Sequence, residues 1–188
     1  MENQTVFDEL YSRHKSSVYS LSCYLTRNQK EAEDLFQETW LRVAKHLAHQ
    51  TIDMDTCKTW IMTITSNLYR DGLRKSRVRK PFSFQKSNSD RQADTYLEKP
   101  MWGEKSCLEN DAKHQEVKMA LSTALEGLPP RHRLIFVLKE IEGYKYSEIG
   151  EMLSLPEGTV KSIMHRAIKK LRQDLWVYNP KKTIIASV

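Results

Sequence analysis

The stretch YSEIGEMLSLPEGTVKSIMHRAIKKL, residues 146–171, decides the fold predicted for the second half of this chain. A short amphipathic segment, a Ser-Leu-Pro turn and a longer amphipathic segment follow one another with the lengths of a helix-turn-helix. The apolar positions that would form the small core between the two helices are Ile149, Leu153, Val160 and Met164. The pattern therefore predicts a DNA-binding motif at residues 146–171.

With that apolar side buried, the second helix would turn a polar and basic face outward. This face comprises Lys161, Ser162, His165, Arg166 and Lys169. Such side chains donate hydrogen bonds to base edges and phosphates in a major groove, and Arg166 is the residue we expect to contact a base. A helical hairpin with an ordinary solvated basic face fits the same pattern, so the motif alone leaves both interpretations open.

The composition of the whole chain predicts an all-α protein. Hydrophobic residues make up 39% and charged residues 29% of the 188 positions, with only 6 Gly and 6 Pro, which is typical of a helical globular chain. The length fits one medium domain or two small ones, and a core of fewer than roughly 80 residues is only marginally stable alone. Two small domains would therefore gain from binding a large partner.

Charge and motif content narrow the function further. The net charge of +6 favours a polyanionic partner, because Lys and Arg neutralise phosphates and release counterions. The 3 cysteines and 6 histidines lack the spacing of a disulfide framework or metal site, and no nucleophile motif is present. No apolar run approaches the ~18 residues of a membrane span. We therefore expect a cytoplasmic protein without metal, cofactor, small-molecule substrate or catalytic activity.

The first third of the chain has helical periodicity as well. Apolar positions from Phe7 onward predict a first helix that stops near Asn28, and Asn28 with Glu31 resembles the capping box of a second helix. Residues 49–58 lose the periodicity and predict a loop, after which a third helix is built on Trp60 and the apolar positions that follow it. The densest positive run of the chain, residues 69–80, lies at the end of this helix.

The third helix has an aromatic start, a polar middle and a basic end, which together suit separated DNA strands. Aromatic rings stack on unpaired bases, an amide can read a flipped base edge, and Arg and Lys hold the backbone. Asn67 and Arg74 lie seven residues apart and therefore on one face. In the competing interpretation, which the pattern favours for Trp60, this ring anchors the core and the basic end only complements the helix dipole.

A polar stripe runs along the second helix, opposite its apolar side. It consists of Asp34, Gln37, Glu38 and Leu41. Such a stripe suits a partner helix that carries arginine, although composition alone favours an ordinary solvated face.

Residues 81–111 hold Ser, Asn, Gln, Asp and Lys with few aliphatic side chains, a composition that buries too little apolar surface to fold. We therefore predict a flexible linker at 81–111 between one small domain at 1–80 and another at 112–176. The composition of residues 177–188 predicts a disordered tail.

Three segments in this order resemble the sigma-70 family of bacterial RNA polymerase sigma factors, and specifically its small extracytoplasmic-function (ECF) group. AEDLFQETWLRVAKHL (32–47) looks like the family's core-polymerase-binding segment. KTWIMTITSNLYRDGLRK (58–75) looks like its minus-ten-reading segment, and residues 128–172 look like its fourth region almost throughout. The likeness covers nearly all of residues 5–80 and 112–176.

The resemblance implies a role for each segment. Core RNA polymerase would bind Asp34, Leu35, Gln37, Glu38 and Leu41 through the coiled coil of its largest subunit. Exposed minus-ten DNA would contact Trp60, Asn67, Arg70, Arg74 and Lys75. The duplex minus-thirty-five element would contact Thr159, Lys161, Ser162, His165, Arg166 and Lys169. The resemblance also implies an anti-sigma factor, in this family often membrane-bound, that covers the polymerase-facing surfaces.

Two positions depart from the family pattern. Thr63 and Ile163 stand where the family often has a basic residue, which removes possible phosphate contacts, so the promoter sequence does not transfer. A stand-alone helix-turn-helix regulator would share the second half but need a dimer interface or ligand domain in place of residues 7–80. A nuclease or hydrolase would need a ligand set that the histidines do not form. The polar stripe and the basic third helix favour the sigma-factor interpretation.

Overall fold

The computed structural model of the chain describes residues 2–26, 28–79, 121 and 123–175. All regular elements in these residues are helices, which confirms the all-α prediction. They are α1 (Glu2–Leu25), α2 (Gln29–Leu47), α3 (Cys57–Arg79), α4 (Pro130–Phe136), a π-helix (Val137–Ile141), α5 (Tyr146–Leu153) and α6 (Glu157–Asp174). Residues 123–126 are also helical. The predicted linker at 81–111 and tail at 177–188 lie outside the described residues.

The junction between α1 and α2 follows the predicted capping signal. The Asn28 side chain accepts a hydrogen bond from the backbone N–H of Glu31 at 2.8 Å, and the Asn28 backbone is extended. An asparagine in this position satisfies one of the N–H groups that a helix start leaves unpaired. Helix α1 begins at Glu2, several residues before Phe7, where the predicted apolar pattern starts. The sequence did not indicate this earlier start because the residues from Glu2 to Thr5 are all polar and carry no apolar periodicity.

The three helices α1–α3 pack on a shared apolar core. Leu10 and Leu21 of α1, Val43 of α2 and Ile61 of α3 are fully buried, each with 0% exposure. Their helical spacing in the sequence is what places them on one side of each helix. Helix α3 begins at Cys57, whose buried thiol lies 2.9 Å from the carbonyl oxygen of Met54 in the preceding loop.

The described residues of the C-terminal half include the helical residues 123–126, which are followed by the Pro129-Pro130 pair. Pro130 occupies the first position of α4, where its missing N–H costs nothing. Helix α4 continues directly into the π-helix Val137–Ile141. Gly143 then adopts a φ of +80°, a conformation that glycine enters without the steric cost of a side chain, and the chain turns here after the π-helix.

Helices α5 and α6 form the predicted helix-turn-helix. All four apolar positions assigned to its core are buried: Ile149, Leu153, Val160 and Met164. The turn is tight, since the N–H of Leu155 donates to the carbonyl of Gly150 at 2.8 Å. A side chain on Gly150 would bring a Cβ within 2.7 Å of the Leu155 carbonyl oxygen, so glycine is required here by close approach.

The N-terminal half (residues 2–79) and the C-terminal half (residues 121–175) contact each other. Buried side chains of α1 and α3 belong to the same apolar cluster as those of α4, the π-helix and α5. A second small cluster joins Leu125 and Leu128 to Leu171 of α6, with Tyr24 of α1 packed against it. The spacing of apolar residues predicts each helix but not this packing between the halves.

Candidate nucleic-acid interface

Helix α6 presents the predicted basic face to solvent. The exposed side chains are Lys161, Ser162, His165, Arg166 and Lys169, whereas Thr159 is half-buried. The apolar residues of α6, among them Val160 and Ala167 with 0% exposure, are turned toward the rest of the C-terminal half. The buried side of the helix thereby fixes which face is outward, and the outward face carries donors for phosphates and base edges.

Lys161 of α6 has a carboxylate and an aromatic ring nearby. Its ammonium lies 2.7 Å from the Glu157 carboxylate and 6.0 Å from the centre of the Tyr146 ring. The hydrogen bond and charge of Glu157 raise the pKa of Lys161 above its ordinary value, so the group stays protonated in neutral solution. The pair with Glu157 is exposed, and such pairs are easily exchanged for a phosphate contact.

Further along α6, a shallow groove is lined by His165, Ile168, Lys169, Arg172 and Gln173. Arg166 lies close enough to His132 of α4 that its charge, after burial, contributes to lowering the pKa of His132. The neutral His132 therefore adds no charge of its own beside Arg166, and the positive potential of this surface comes from Arg and Lys. The groove and the basic face form one continuous side of the helix.

Ile163, where the family pattern often has a basic residue, is 6% exposed and packs in the core. A charged side chain at this buried position would lose its hydration and could not contact a phosphate in compensation. An apolar residue such as isoleucine is therefore more stable here. Thr63, the other departure, donates its hydroxyl to the carbonyl of Thr59 at 2.8 Å.

Helix α3 carries the residues predicted for separated strands. Asn67, Arg74 and Lys75 are exposed, and the Arg74 guanidinium lies 3.6 Å from the Asp71 carboxylate. Arg70 is half-buried. Its guanidinium lies 3.4 Å from the side-chain oxygen of Asn67 and donates to the backbone carbonyl of Leu153 in α5 at 3.2 Å. The structure thus places Asn67, Arg70 and Arg74 along one side of α3.

Trp60, at the start of α3, is half-buried and packs against the apolar core. Its ring centre lies 4.8 Å from that of His46 in α2. This placement agrees with the core-anchor interpretation that the pattern favours for Trp60.

The polar stripe on α2 faces solvent. Asp34, Gln37 and Leu41 are exposed, and Leu41 reaches 48% exposure, which is high for a leucine. Glu38 lies 3.2 Å from Arg42 in an exposed pair. Leu35, which only the resemblance assigns to the polymerase contact, is 9% exposed and packs on the apolar side of α2. A helix repeats every 3.6 residues, which puts Leu35 on the opposite side from Gln37.

Sequence analysis missed the charged residues between the two halves. Lys58 of α3 lies 3.5 Å from Glu142, and Arg133 of α4 is 2% exposed yet donates to the Leu25 carbonyl of α1. No periodic signal marks a residue whose partner lies more than eighty positions away.

Among the described residues, no group of three or more His, Cys, Asp or Glu side chains is arranged to hold a metal ion. None of the helices described here is long and apolar enough to cross a membrane.

The described residues form two helical halves, one of which contains a helix-turn-helix, and α3 and α6 both expose basic side chains. Two family models match the chain: sigma-70 region 2 at residues 10–79 and sigma-70 region 4 at residues 118–171. The chain therefore belongs to the sigma-70 family, and its relatives place it in the ECF group. The matched residues contain α3 and the helix-turn-helix respectively.

The similarity to curated relatives covers more of the chain than the two family models do. The chain is 35% identical over 170 residues to the ECF RNA polymerase sigma factor SigE of Mycolicibacterium smegmatis, covering 90% of this chain and 61% of that protein. It is 29% identical to the RNA polymerase sigma factor CarQ of Myxococcus xanthus, covering 90% of this chain and 89% of CarQ. It is 28% identical to the ECF RNA polymerase sigma factor SigW of Bacillus subtilis, covering 92% of this chain and 90% of SigW.

Solved structures share the fold. The sigma factor RpoE in complex with the anti-sigma factor NepR from Bartonella quintana matches with a TM-score of 0.64 at 20% identity, over 92% of this chain and 98% of that one. CnrH in complex with the cytosolic domain of CnrY matches with a TM-score of 0.60 at 19% identity, over 94% and 91% of the two chains. RpoE and CnrH therefore share this arrangement of helices.

Proposed function

We propose that this ECF sigma factor binds core RNA polymerase, directs it to specific promoters and helps to open the minus-ten region. The observation that carries the proposal is the presence of two different DNA-facing surfaces on one chain. Helix α6 exposes Lys161, Arg166 and Lys169 on a helix-turn-helix suited to duplex DNA. Helix α3 exposes Asn67 and Arg74, an amide and a guanidinium that suit contacts with unpaired bases and their backbone.

The two DNA-facing surfaces would contribute both affinity and sequence specificity. Phosphate contacts from Lys and Arg supply salt-dependent affinity, and a few base contacts supply specificity. Each surface is small, so each binds weakly by itself. When polymerase holds both on one promoter, the second contact becomes intramolecular and gains from a raised effective concentration. The protein acts as a binding subunit in the cytoplasm of a bacterium and catalyses no reaction itself.

The polymerase contact lies on α2. Asp34, Gln37, Glu38 and Leu41 form an exposed patch that joins acidic and amide groups to an apolar side chain. Such a patch suits a partner helix carrying arginine, because carboxylates accept paired hydrogen bonds from guanidinium groups. Leu35 is buried and stays outside the patch.

An anti-sigma factor is the second proposed partner. The solved neighbours RpoE and CnrH each stand in complex with a protein, NepR described as an anti-sigma factor and CnrY through its cytosolic domain. An anti-sigma factor that covered the α2 patch would compete directly with polymerase. Membrane attachment of that partner is an inference from the family alone.

Reconstituted transcription tests the proposal. The purified chain is combined with core polymerase and fragmented genomic DNA of the source organism, and transcript start sites are mapped. We expect start sites that appear only with both proteins present and that share two sequence elements upstream. No chain-dependent start site would contradict the proposed function.

Two charge variants sharpen the test. Glu38→Lys reverses a carboxylate of the α2 patch, whose side chain is 45% exposed, and is expected to reduce polymerase binding and transcription at least tenfold. Glu9→Lys makes the same charge change at an exposed site on α1 outside the patch, with a side-chain exposure of 52%, and is expected to leave both unchanged. Equal loss in both variants would mean that net charge, not the α2 patch, is responsible.

A further inference from the structure

The first turn of α6 carries an acidic side chain on the otherwise basic outward side of this helix. Helix α6 begins at Glu157, directly after its N-terminal cap Pro156. Lys161 and His165 follow at intervals of four residues and are exposed, so Glu157 lies on the same side of the helix as the basic face. The N-terminal residues of a recognition helix are the ones that contact base edges. Glu157 therefore occupies a position from which a base can be read.

The Glu157 carboxylate is paired with Lys161. Its Oε1 lies 2.7 Å from the Lys161 Nζ, and the two side chains are 46% and 57% exposed. A carboxylate accepts several hydrogen bonds, so the contact with one ammonium leaves capacity for a base. The ammonium also offsets the repulsion between this carboxylate and the DNA phosphates, because opposite charges at short distance largely cancel. The pair can therefore approach DNA at a lower electrostatic cost than a lone glutamate.

The position after Glu157 leaves room for a base edge. Gly158 is exposed, and a Cβ added to it would meet nothing within 4 Å. Val160, one helical turn into α6, has 0% exposure and is directed into the core. No side chain of the first turn thus stands beside Glu157 on its open side, and glycine permits close approach of a ligand to the backbone.

The chemistry of a carboxylate distinguishes among the four bases. An ionised carboxylate only accepts hydrogen bonds. In the major groove, cytosine presents its N4 amino group, which is a donor, and no acceptor. Adenine presents its N6 donor beside the N7 acceptor, while guanine and thymine present acceptors. Since an acceptor repels a carboxylate, cytosine is the base whose hydrogen-bonding edge is fully complementary to glutamate.

We propose that Glu157 is a specificity-determining residue of the helix-turn-helix and accepts a hydrogen bond from the N4 amino group of a cytosine in the duplex promoter element. The inference rests on the proposed function, because it requires α6 to lie in the major groove of a promoter. It adds a base and a carboxylate reader to the basic contacts on the same helix. Arg166 then reads a different base, further along α6.

Selection from a randomised promoter tests this assignment. The upstream duplex element of a promoter found by start-site mapping is randomised, and the library is incubated with core polymerase and the full-length chain. Bound DNA is separated by gel shift and sequenced. We expect the parent complex to select cytosine at one position by roughly fivefold or more over each other base.

Two substitutions of Glu157 should change that position alone. Glu157→Ala removes the acceptor and is expected to abolish the preference there. Glu157→Gln keeps the size of the side chain but adds a donor, and an amide pairs with the N6 and N7 atoms of adenine, so the preference should shift from cytosine to adenine. Preferences at all other positions should match those of the parent.

Asp174→Asn is the matched control. Asp174 forms the same kind of pair at the other end of α6, with its Oδ1 2.8 Å from the Lys170 Nζ. The substitution removes one carboxylate from α6 and is expected to leave the base preference at every position unchanged. An equal change in this variant would mean that the charge of the helix is responsible, and would overturn the proposal.

The remaining outcomes are also decisive. If both Glu157 variants keep the parent's preference at every position, Glu157 only complements the helix dipole and the inference fails, even where overall affinity changes. If Glu157→Ala proves unfolded by circular dichroism, the shift expected for Glu157→Gln decides the question. A parent complex that selects no sequence contradicts the proposed function, whereas a parent that selects a sequence insensitive to Glu157 contradicts this inference alone.

Discussion

Gly150 provides a quantitative test of how closely the turn of the helix-turn-helix approaches α5. A Cβ at this position would lie 2.7 Å from the Leu155 carbonyl oxygen, against at least 3.4 Å for an ordinary contact, so the backbone must yield by about 0.7 Å. The turn cannot yield freely, because the Leu155 N–H is hydrogen-bonded to the Gly150 carbonyl. Overpacking of this kind typically costs about 1–3 kcal/mol, of which alanine's better helix propensity returns roughly 0.5–1 kcal/mol.

We therefore expect Gly150→Ala to lower the free energy of unfolding by about 1–2 kcal/mol, measured by urea denaturation of the full chain. Gly158→Ala is the matched control: nothing lies within 4 Å of its added Cβ, so it should be neutral or stabilise by up to roughly 1 kcal/mol. Because α6 carries the DNA-facing residues, Gly150→Ala should also weaken promoter binding by the polymerase complex. Equal stability of the two variants would refute the close-approach argument.

Three other changes have distinct expected results. Asn28→Ala removes the acceptor for the Glu31 N–H and should cost about 1 kcal/mol of unfolding free energy in urea denaturation; no change would mean that the cap is dispensable. Burial, and then the charges of Arg13 and Lys58, lower the pKa of His14. The unfolded chain therefore binds more protons below about pH 6.5, and the thermal midpoint should fall with pH in that range, less so in His14→Gln. Arg166→Ala should relax base preference at one promoter position by about 1–3 kcal/mol in competition binding with the polymerase complex, whereas loss of affinity at every sequence alike would point to a phosphate contact.

Local periodicity predicts much of this fold because each helix buries one side. Ile149, Leu153, Val160 and Met164 were identified by spacing, and all four are buried. The cap at Asn28 was identified by chemistry, because an asparagine followed three residues later by glutamate suits a helix start. These features depend on neighbours within about one or two turns, which a single sequence displays directly.

Leu35 shows how two kinds of argument can disagree. The apolar spacing of α2 assigns Leu35 to the buried side, whereas the resemblance to the family implies a polymerase contact at this residue. The structure places it at 9% exposure, as the apolar spacing predicts, and the polymerase contact implied by the resemblance stays a prediction. Asp34 and Gln37, one and two positions away, remain exposed as both arguments predict.

The contacts between the halves could not be predicted in the same way. Arg133 lies within the run Arg131-His132-Arg133, where nothing in the sequence separates a buried arginine from exposed ones. Its acceptor, the Leu25 carbonyl, lies 108 positions earlier in the chain. Backbone carbonyls at helix ends are available in every helical protein, so their use by one particular arginine depends on tertiary packing alone.

The dependence of promoter binding on polymerase tests the central claim most directly. A promoter fragment identified by start-site mapping is titrated in a gel-shift assay with the chain alone, with core enzyme alone and with both together. We predict weak, salt-sensitive binding by the chain alone and sequence-specific binding, at least a hundredfold tighter, by the combination. Equal affinity of the chain for the promoter with and without core enzyme would contradict the account.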